Sequence, residues 1–260
     1  MLLHRHSRLI EWIHNSMVRE GSRKNIYSTP ANLTILTAHN YQSKPIFEVN
    51  MDFLGIEYVS LDVDKTKKWA MTTKLKAYYD FIKSGNCDTE YVLTADTNDV
   101  IFLENPNNII DVFDSNKCDL FFCSTYYDSS YIVVPEIREQ IDLLRWVDVP
   151  KRERKYLNGG VFVAKTDSSL DILEHAVSYI DDSVWKKSFA EYIEFRDISI
   201  LLRDSFENYP YGVPSDQDIF RYIEPKYHSR IVIDVDDECI IRHSTKSLVD
   251  WFSSNMEILN

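Results

Sequence analysis

The strongest constraint on this chain is an order in which short apolar runs recur with amphipathic stretches between them. Leu33 to Ala38, Ile56 to Leu61, Tyr91 to Thr94 and Leu120 to Cys123 are too short to be helices and read as strands. Between them, Pro45 to Leu54, Trp69 to Lys83 and Ile109 to Phe113 read as helices. Strands alternating with helices predict a mostly parallel sheet covered on both faces. Further along, Gly159 to Ala164 and Ile231 to Asp234 are strand-like, while Ser168 to Ile180, Val184 to Leu202 and Pro214 to Ile223 are helical, the last with proline at its entrance. The expected fold is a single mixed α/β domain over 32–260. Residues 1–31 precede it as an amphipathic helix, with Leu9, Ile10, Ile13 and Met17 on one face, and a connection.

A chain of 260 residues, 44% of them hydrophobic, can build one sizeable core. Its 29 Lys and Arg against 41 Asp and Glu give a net charge of -12, which argues against general attraction to nucleic acid or an anionic membrane. Any phosphate it binds therefore needs a local device. The four cysteines show no C-x-x-C spacing, so neither a zinc ribbon nor a disulfide framework is indicated, and a reducing compartment fits best. No stretch approaches the roughly 18 to 20 uncharged apolar residues of a membrane span, and the N-terminus is charged where a signal peptide would be apolar, so a cytoplasmic location is expected. The dinucleotide, P-loop, zincin and hydrolase-elbow signatures are absent from the sequence.

In sheets of this kind ligands sit beyond the carboxyl ends of the strands, which directs attention to Tyr91-Val92-Leu93-Thr94-Ala95-Asp96-Thr97-Asn98-Asp99-Val100-Ile101-Phe102. This buried strand delivers two carboxylates, Asp96 and Asp99, into a turn. Two hard oxygen donors at that spacing can share Mg²⁺ or Mn²⁺ with a substrate diphosphate; equally, they can cap a turn. Asn158-Gly159-Gly160 gathers two of the six glycines at one spot, which signals close backbone approach. Asp216 and Gln217 open a helix, where capping competes with contact to a ligand. Lys74 lies in the helix before the Asp96 strand and reads either as a nucleotide contact or as part of a polar helix face. The basic run from Lys151 to Lys155 reads as a solvated loop.

Taken in order, Lys74, Asp96 to Asp99, Asn158-Gly159-Gly160, Asp216-Gln217 and His243 resemble the motif set of glycosyltransferases with a GT-A fold. The closest likeness is to the glycosyltransferase domain of the lysyl hydroxylase and procollagen glycosyltransferase type. That family's T-D-x-x-D-V-[IV]-F segment is similar to Thr94 to Phe102, with Ala95 inserted between the Thr and the Asp. Gly159 stands where the family usually has Ser, and Ser215 replaces an acidic residue before Asp216-Gln217. The resemblance covers roughly Leu33 to Lys246 and implies a Rossmann-like mixed sheet flanked by helices. It further implies Mn²⁺, with Mg²⁺ as the alternative, held by Asp96, Asp99 and His243. By the same resemblance the nucleotide meets Lys74, Asp96, Gly159, Gly160 and Lys246, while Asp216, Gln217 and Asn158 serve the sugar.

The function this implies is transfer of a hexose from a nucleoside diphosphate sugar, UDP-linked, to a hydroxyl on a glycan or hydroxylated protein. The departures at Ala95, Gly159 and Ser215 sustain a second reading, a nucleotide-sugar or glycan-binding protein of the same fold without turnover. A sugar nucleotidyltransferase ranks last, because Thr37-Ala38-His39-Asn40 follows the first strand where a Gly-rich basic loop would be required.

Overall fold

The computed structural model describes residues 27–66, 69–98, 100–102, 106–125, 135–150, 153, 155–181, 215–234 and 241–243. Its centre is a six-stranded sheet built from β1 (Leu33–His39), β2 (Val59–Asp62), β3 (Tyr91–Ala95), β5 (Leu120–Thr125), β6 (Tyr156–Lys165) and β7 (Ile231–Ile233), in the order β2-β1-β3-β6-β5-β7. Five strands run parallel and β6 alone runs against its neighbours β3 and β5. The expected mostly parallel sheet is therefore present, in mixed form. A separate ribbon pairs β4 (Val100–Phe102) with β8 (Ile241–His243), antiparallel, with Val100 opposite His243.

Period-two alternation divides the strand side chains between two cores. Leu33 and Ile35 of β1, with Tyr91, Leu93 and Ala95 of β3, pack with helices α1 (Ile46–Leu54) and α3 (Asn107–Ser115). Leu36 and Ala38, with Val92, face α2 (Met71–Lys83), α5 (Leu170–Ser178) and α6 (Asp216–Ile223). The sheet is thus covered on both faces, as continuous apolar runs in β3 and β5 require. A further helix, α4 (Pro135–Arg145), follows β5 and packs on the 3-10 turn Glu224–Tyr227. The sequence reading did not anticipate it. Among the described residues no helix is long and apolar enough to cross a membrane.

The chain joins this body before residue 32. Tyr27 N donates to Leu54 O (3.2 Å), and Thr29 Oγ1 exchanges hydrogen bonds with the backbone of Glu57. The expected helices Leu2 to Glu20 and Val184 to Leu202 lie outside the described residues. Lys155, read as part of a solvated basic loop, is buried.

Candidate active site at the carboxyl ends of the strands

Asp96 follows the last residue of β3 and keeps its backbone in the sheet by donating its N–H to Gly160 O (2.7 Å). The preceding carbonyl, of Ala95, accepts from Thr37 Oγ1 and from Tyr78 Oη, each at 3.4 Å. Helix α1 pins the turn that follows: Phe47 N donates to Thr97 O (2.9 Å), and Asn50 Oδ1 accepts from Phe102 N (2.8 Å). A helix start leaves unpaired N–H groups, and here one of them holds the acidic turn. Asp96 is therefore fixed at both flanks while its side chain stays a quarter exposed, at 25%.

The partner of Asp96 is Lys74 of α2, whose ammonium donates to Asp96 Oδ1 and lies 3.0 Å from Asp216 Oδ2. Lys74 and Asp216 are both buried, their side chains 6% and 5% exposed. One buried cation thus serves two carboxylates. Burial would drive the lysine toward its neutral form, but Asp216 and Asp96 reverse that and hold its pKa above the ordinary value. Burial pushes the Asp216 carboxyl up to about 6 against the pull of Lys74, and the negative charge of Asp96 adds to the rise. Tyr78, one turn along α2 from Lys74, has its phenol raised chiefly by burial.

The start of α6 resolves the competition between capping and ligand contact. Ser215 is the cap: its Oγ accepts from Asp218 N (3.1 Å), and Asp218 Oδ2 accepts from Ser215 N (2.9 Å). This reciprocal box satisfies the helix end without the next two side chains. Asp216 is left for Lys74, and Gln217 Oε1 accepts from Gly159 N (3.2 Å).

Strand β6 supplies the opposite wall. Between the pairs Phe122↔Phe162 and Ser124↔Leu157 it carries three more residues than β5, and Asn158, Gly159 and Gly160 lie within that bulge. Asn158 Oδ1 accepts from Gly160 N (2.8 Å), folding the bulge on itself. A Cβ on Gly159 would sit 3.0 Å from Asp216 Oδ2 and 3.1 Å from Gln217 Cα. The close approach that glycine permits here is to the first turn of α6, which explains Gly159 without a ligand.

A cleft of about 290 Å³ opens beyond the ends of β1 and β2, lined by His39, Tyr41, Lys44, Glu48, Ser60 and Lys65 among others. Glu48 lies in α1 next to Phe47, whose N–H bonds to Thr97 O in the turn after Asp96.

No family model and no curated protein sequence matches this chain. Among solved structures it is similar to a glycosyltransferase involved in the glycosylation of the major capsid of PBCV-1, at 15% identity and a TM-score of 0.40, over 77% of this chain and 81% of that one. It is also similar to mouse xyloside xylosyltransferase 1 in its apo form, at 13% identity and a TM-score of 0.43, over 86% and 79% of the two chains. A197 from STIV gives 13% identity and a TM-score of 0.34 over 54% and 67%. Scores of this size establish neither family nor activity, and the functional reading rests on the site itself.

Of the residues singled out from sequence, Lys74, Asp96, Asn158, Gly159, Gly160, Asp216 and Gln217 come together at one place. The pairing of β8 with β4 sets the backbone of His243 opposite Val100, next to Asp99 in the chain, and β8 also lies against β6. Asp99 and Lys246 lie outside the described residues. Among the described residues no three His, Cys, Asp or Glu side chains form a metal-holding group. The sequence reading missed Thr37, Tyr78 and the Glu48 cleft. For Tyr78 a signal existed, since it stands four residues after Lys74 and shares its helix face.

Proposed function

We propose that this protein transfers a hexosyl group from a nucleoside diphosphate sugar, UDP-linked, to a hydroxyl of a glycan or hydroxylated protein. The observation that carries this reading is the buried Lys74 ammonium set between Asp96, at a strand end, and Asp216, at a helix start. Glycosyl transfer separates charge: the anomeric carbon becomes cationic as the diphosphate departs with negative charge. A site for it needs fixed groups of both signs close together, aimed at where those charges develop. Asp216 and the Gln217 amide would serve the sugar, and Lys74 would supply positive charge for the diphosphate. Asn158 keeps the β6 bulge in the shape that seats Gly159 against α6. The cleft beyond the ends of β1 and β2, near the lower end of the usual size of small-ligand sites, would take the nucleoside.

Asp96, Asp99 and His243 would hold Mn²⁺, with Mg²⁺ as a substitute, since carboxylate oxygens with one imidazole suit the softer ion. The fixed Asp96 turn and the pairing of Val100 with His243 support this donor set. When bound, the cation would neutralise the leaving diphosphate as a Lewis acid. Lys246 would meet a phosphate. The ordered motif resemblance supports the same assignment, and three buried free cysteines suit a cytoplasmic setting.

A panel of nucleotide sugars, incubated with Mn²⁺ with and without hydroxyl acceptors, tests this through release of free nucleoside diphosphate. We expect one donor class to turn over, faster with its acceptor. Binding without release would identify a nucleotide-sugar-binding protein of the same fold. Failure to bind any donor in calorimetry would overturn the reading.

A further inference from the structure

The cleft beyond the ends of β1 and β2 is organised around one buried carboxylate. Glu48 is 6% exposed in its side chain, and its Oε1 accepts two hydrogen bonds, from Ser60 Oγ (2.5 Å) and His39 Nε2 (2.9 Å). His39 is held in turn: its Nδ1 accepts from Tyr41 N (3.1 Å), so the neutral ring carries its proton on Nε2, where it donates to Glu48. Glu48 Oε2 accepts no hydrogen bond from any described residue, and Glu48 lines the cleft. Tyr41, 43% exposed, stacks on His39 with ring centroids 5.5 Å apart and planes at 20°. An ordinary first-turn glutamate serves the helix dipole from the surface. This one is drawn inward, with one oxygen held by two donors and the other left to a cleft.

Position along the sheet says what would meet it. Leu36 of β1 is paired with Thr94 of β3, so Ala38 is level with Asp96 and His39 stands one residue further out. Phe47 N bonds to Thr97 O, which sets Glu48 close to the Asp96 turn. Glu48 on α1 and Lys74 on α2 flank the sheet from opposite faces, and both sit at the carboxyl ends of its strands, Glu48 against His39 of β1 and Lys74 against Asp96 after β3, with the exposed Tyr41 ring stacked on His39. A nucleoside diphosphate laid across the strand ends from one face to the other would put its phosphates at Lys74, its ribose at Glu48 and its base against Tyr41.

We propose that Glu48 is a specificity-determining residue that accepts hydrogen bonds from the ribose hydroxyls of the donor, so that the site takes ribonucleotides and rejects 2′-deoxynucleotides. The proposal rests on the donor reading given above and deepens it. A buried carboxylate oxygen left without its hydroxyl partner costs more than an exposed one, which gives the selectivity its size. Ser60 and His39 are positioning residues that turn Oε2 toward the sugar.

The test is calorimetry with Mn²⁺ present, comparing UDP with 2′-deoxy-UDP and GDP with 2′-deoxy-GDP, on the wild type, Glu48→Gln and Glu48→Asp. The wild type is expected to bind the ribonucleotide of the better pair about tenfold or more tightly than its deoxy form. Glu48→Gln should bring that ratio close to one, and Glu48→Asp, with a shorter reach, should lower it. Tight binding of both forms by the wild type would overturn the ribose assignment while leaving the donor reading standing, and that result needs no variant. A ratio that persists in Glu48→Gln or Glu48→Asp would overturn it as well. Failure of the wild type to bind all four nucleotides would overturn both readings.

Discussion

Replacing Lys74 with Met removes the only positive charge that the described structure sets between Asp96 and Asp216, while keeping much of the side-chain volume. Breaking a buried ion pair by deleting one partner costs about 3–5 kcal/mol, because the remaining charge is left in a poor solvent. The cost has a ceiling, since the acid can take up a proton instead. For a carboxyl already held at about 6 in the folded protein, neutralisation at pH 7 costs about 1.4 kcal/mol, at about 1.4 kcal/mol per pH unit. Lys74→Met should therefore lose about 1–2 kcal/mol at pH 7, a fall in Tm on the order of 5 °C for a domain of this size. The loss should shrink on acidification below pH 6, where Asp216 is protonated with or without the lysine. Adding Asp216→Asn to Lys74→Met should recover at least half of the loss at pH 7. Thermal melts from pH 4 to 8 measure all of this. A Lys74→Met protein as stable as the wild type at pH 7, or a deficit that does not change with pH, would refute the claim that one ammonium compensates two carboxylates.

Two further outcomes follow from the same geometry. Because folding raises the Asp216 pKa from 3.8 to about 6, this group lowers stability as pH rises through that interval and adds no further change above it. Asp216→Asn should accordingly gain on the wild type by up to about 3 kcal/mol between pH 4 and 7, and paired denaturant titrations that show a flat difference would contradict the shift. Gly159→Ala should cost about 1–3 kcal/mol by overpacking against Asp216 and Gln217, and should weaken nucleotide-sugar binding as α6 moves back; an unchanged Tm together with unchanged affinity would show that the contact is slack.

The elements that sequence reading captured are those whose burial is continuous. β1, β3 and β5 stand out because parallel strands covered on both faces need uninterrupted apolar residues. The reversed direction of β6 carries no such signature, since strand polarity is decided by which neighbours it finds rather than by its own pattern. Its bulge extended the strand back to Tyr156, beyond the expected start at Gly159. Helix α4 escaped notice although Pro135 stands at its first turn and Ile137, Ile141 and Leu144 follow at helical spacing, because charged residues fill the intervals. At the site, Lys74 and Lys76 are indistinguishable as letters. Lys76 is exposed and pairs with Asp80 one turn away, whereas Lys74 points into the protein on the face shared with Tyr78. Which lysine is buried depends on the phase of α2 against the sheet, a tertiary property. The ordered motifs named residues that the fold brings together; they could not show that Ser215 would relieve Asp216 of capping, nor that Glu48 would be buried against His39 and Ser60.

The central claim is that Asp216 and Lys74 face a reacting glycosyl donor. The most direct measurement is the rate of nucleoside diphosphate release from the preferred donor, with Mn²⁺ and acceptor, by the wild type and by Asp216→Asn at pH 7.5, where Asn preserves the shape and removes the charge. We predict that the variant stays folded, still binds the free nucleoside diphosphate within a few-fold of the wild type, and turns over about a hundredfold or more slowly. Equal rates in the two proteins would contradict the claim and remove Asp216 from the chemistry.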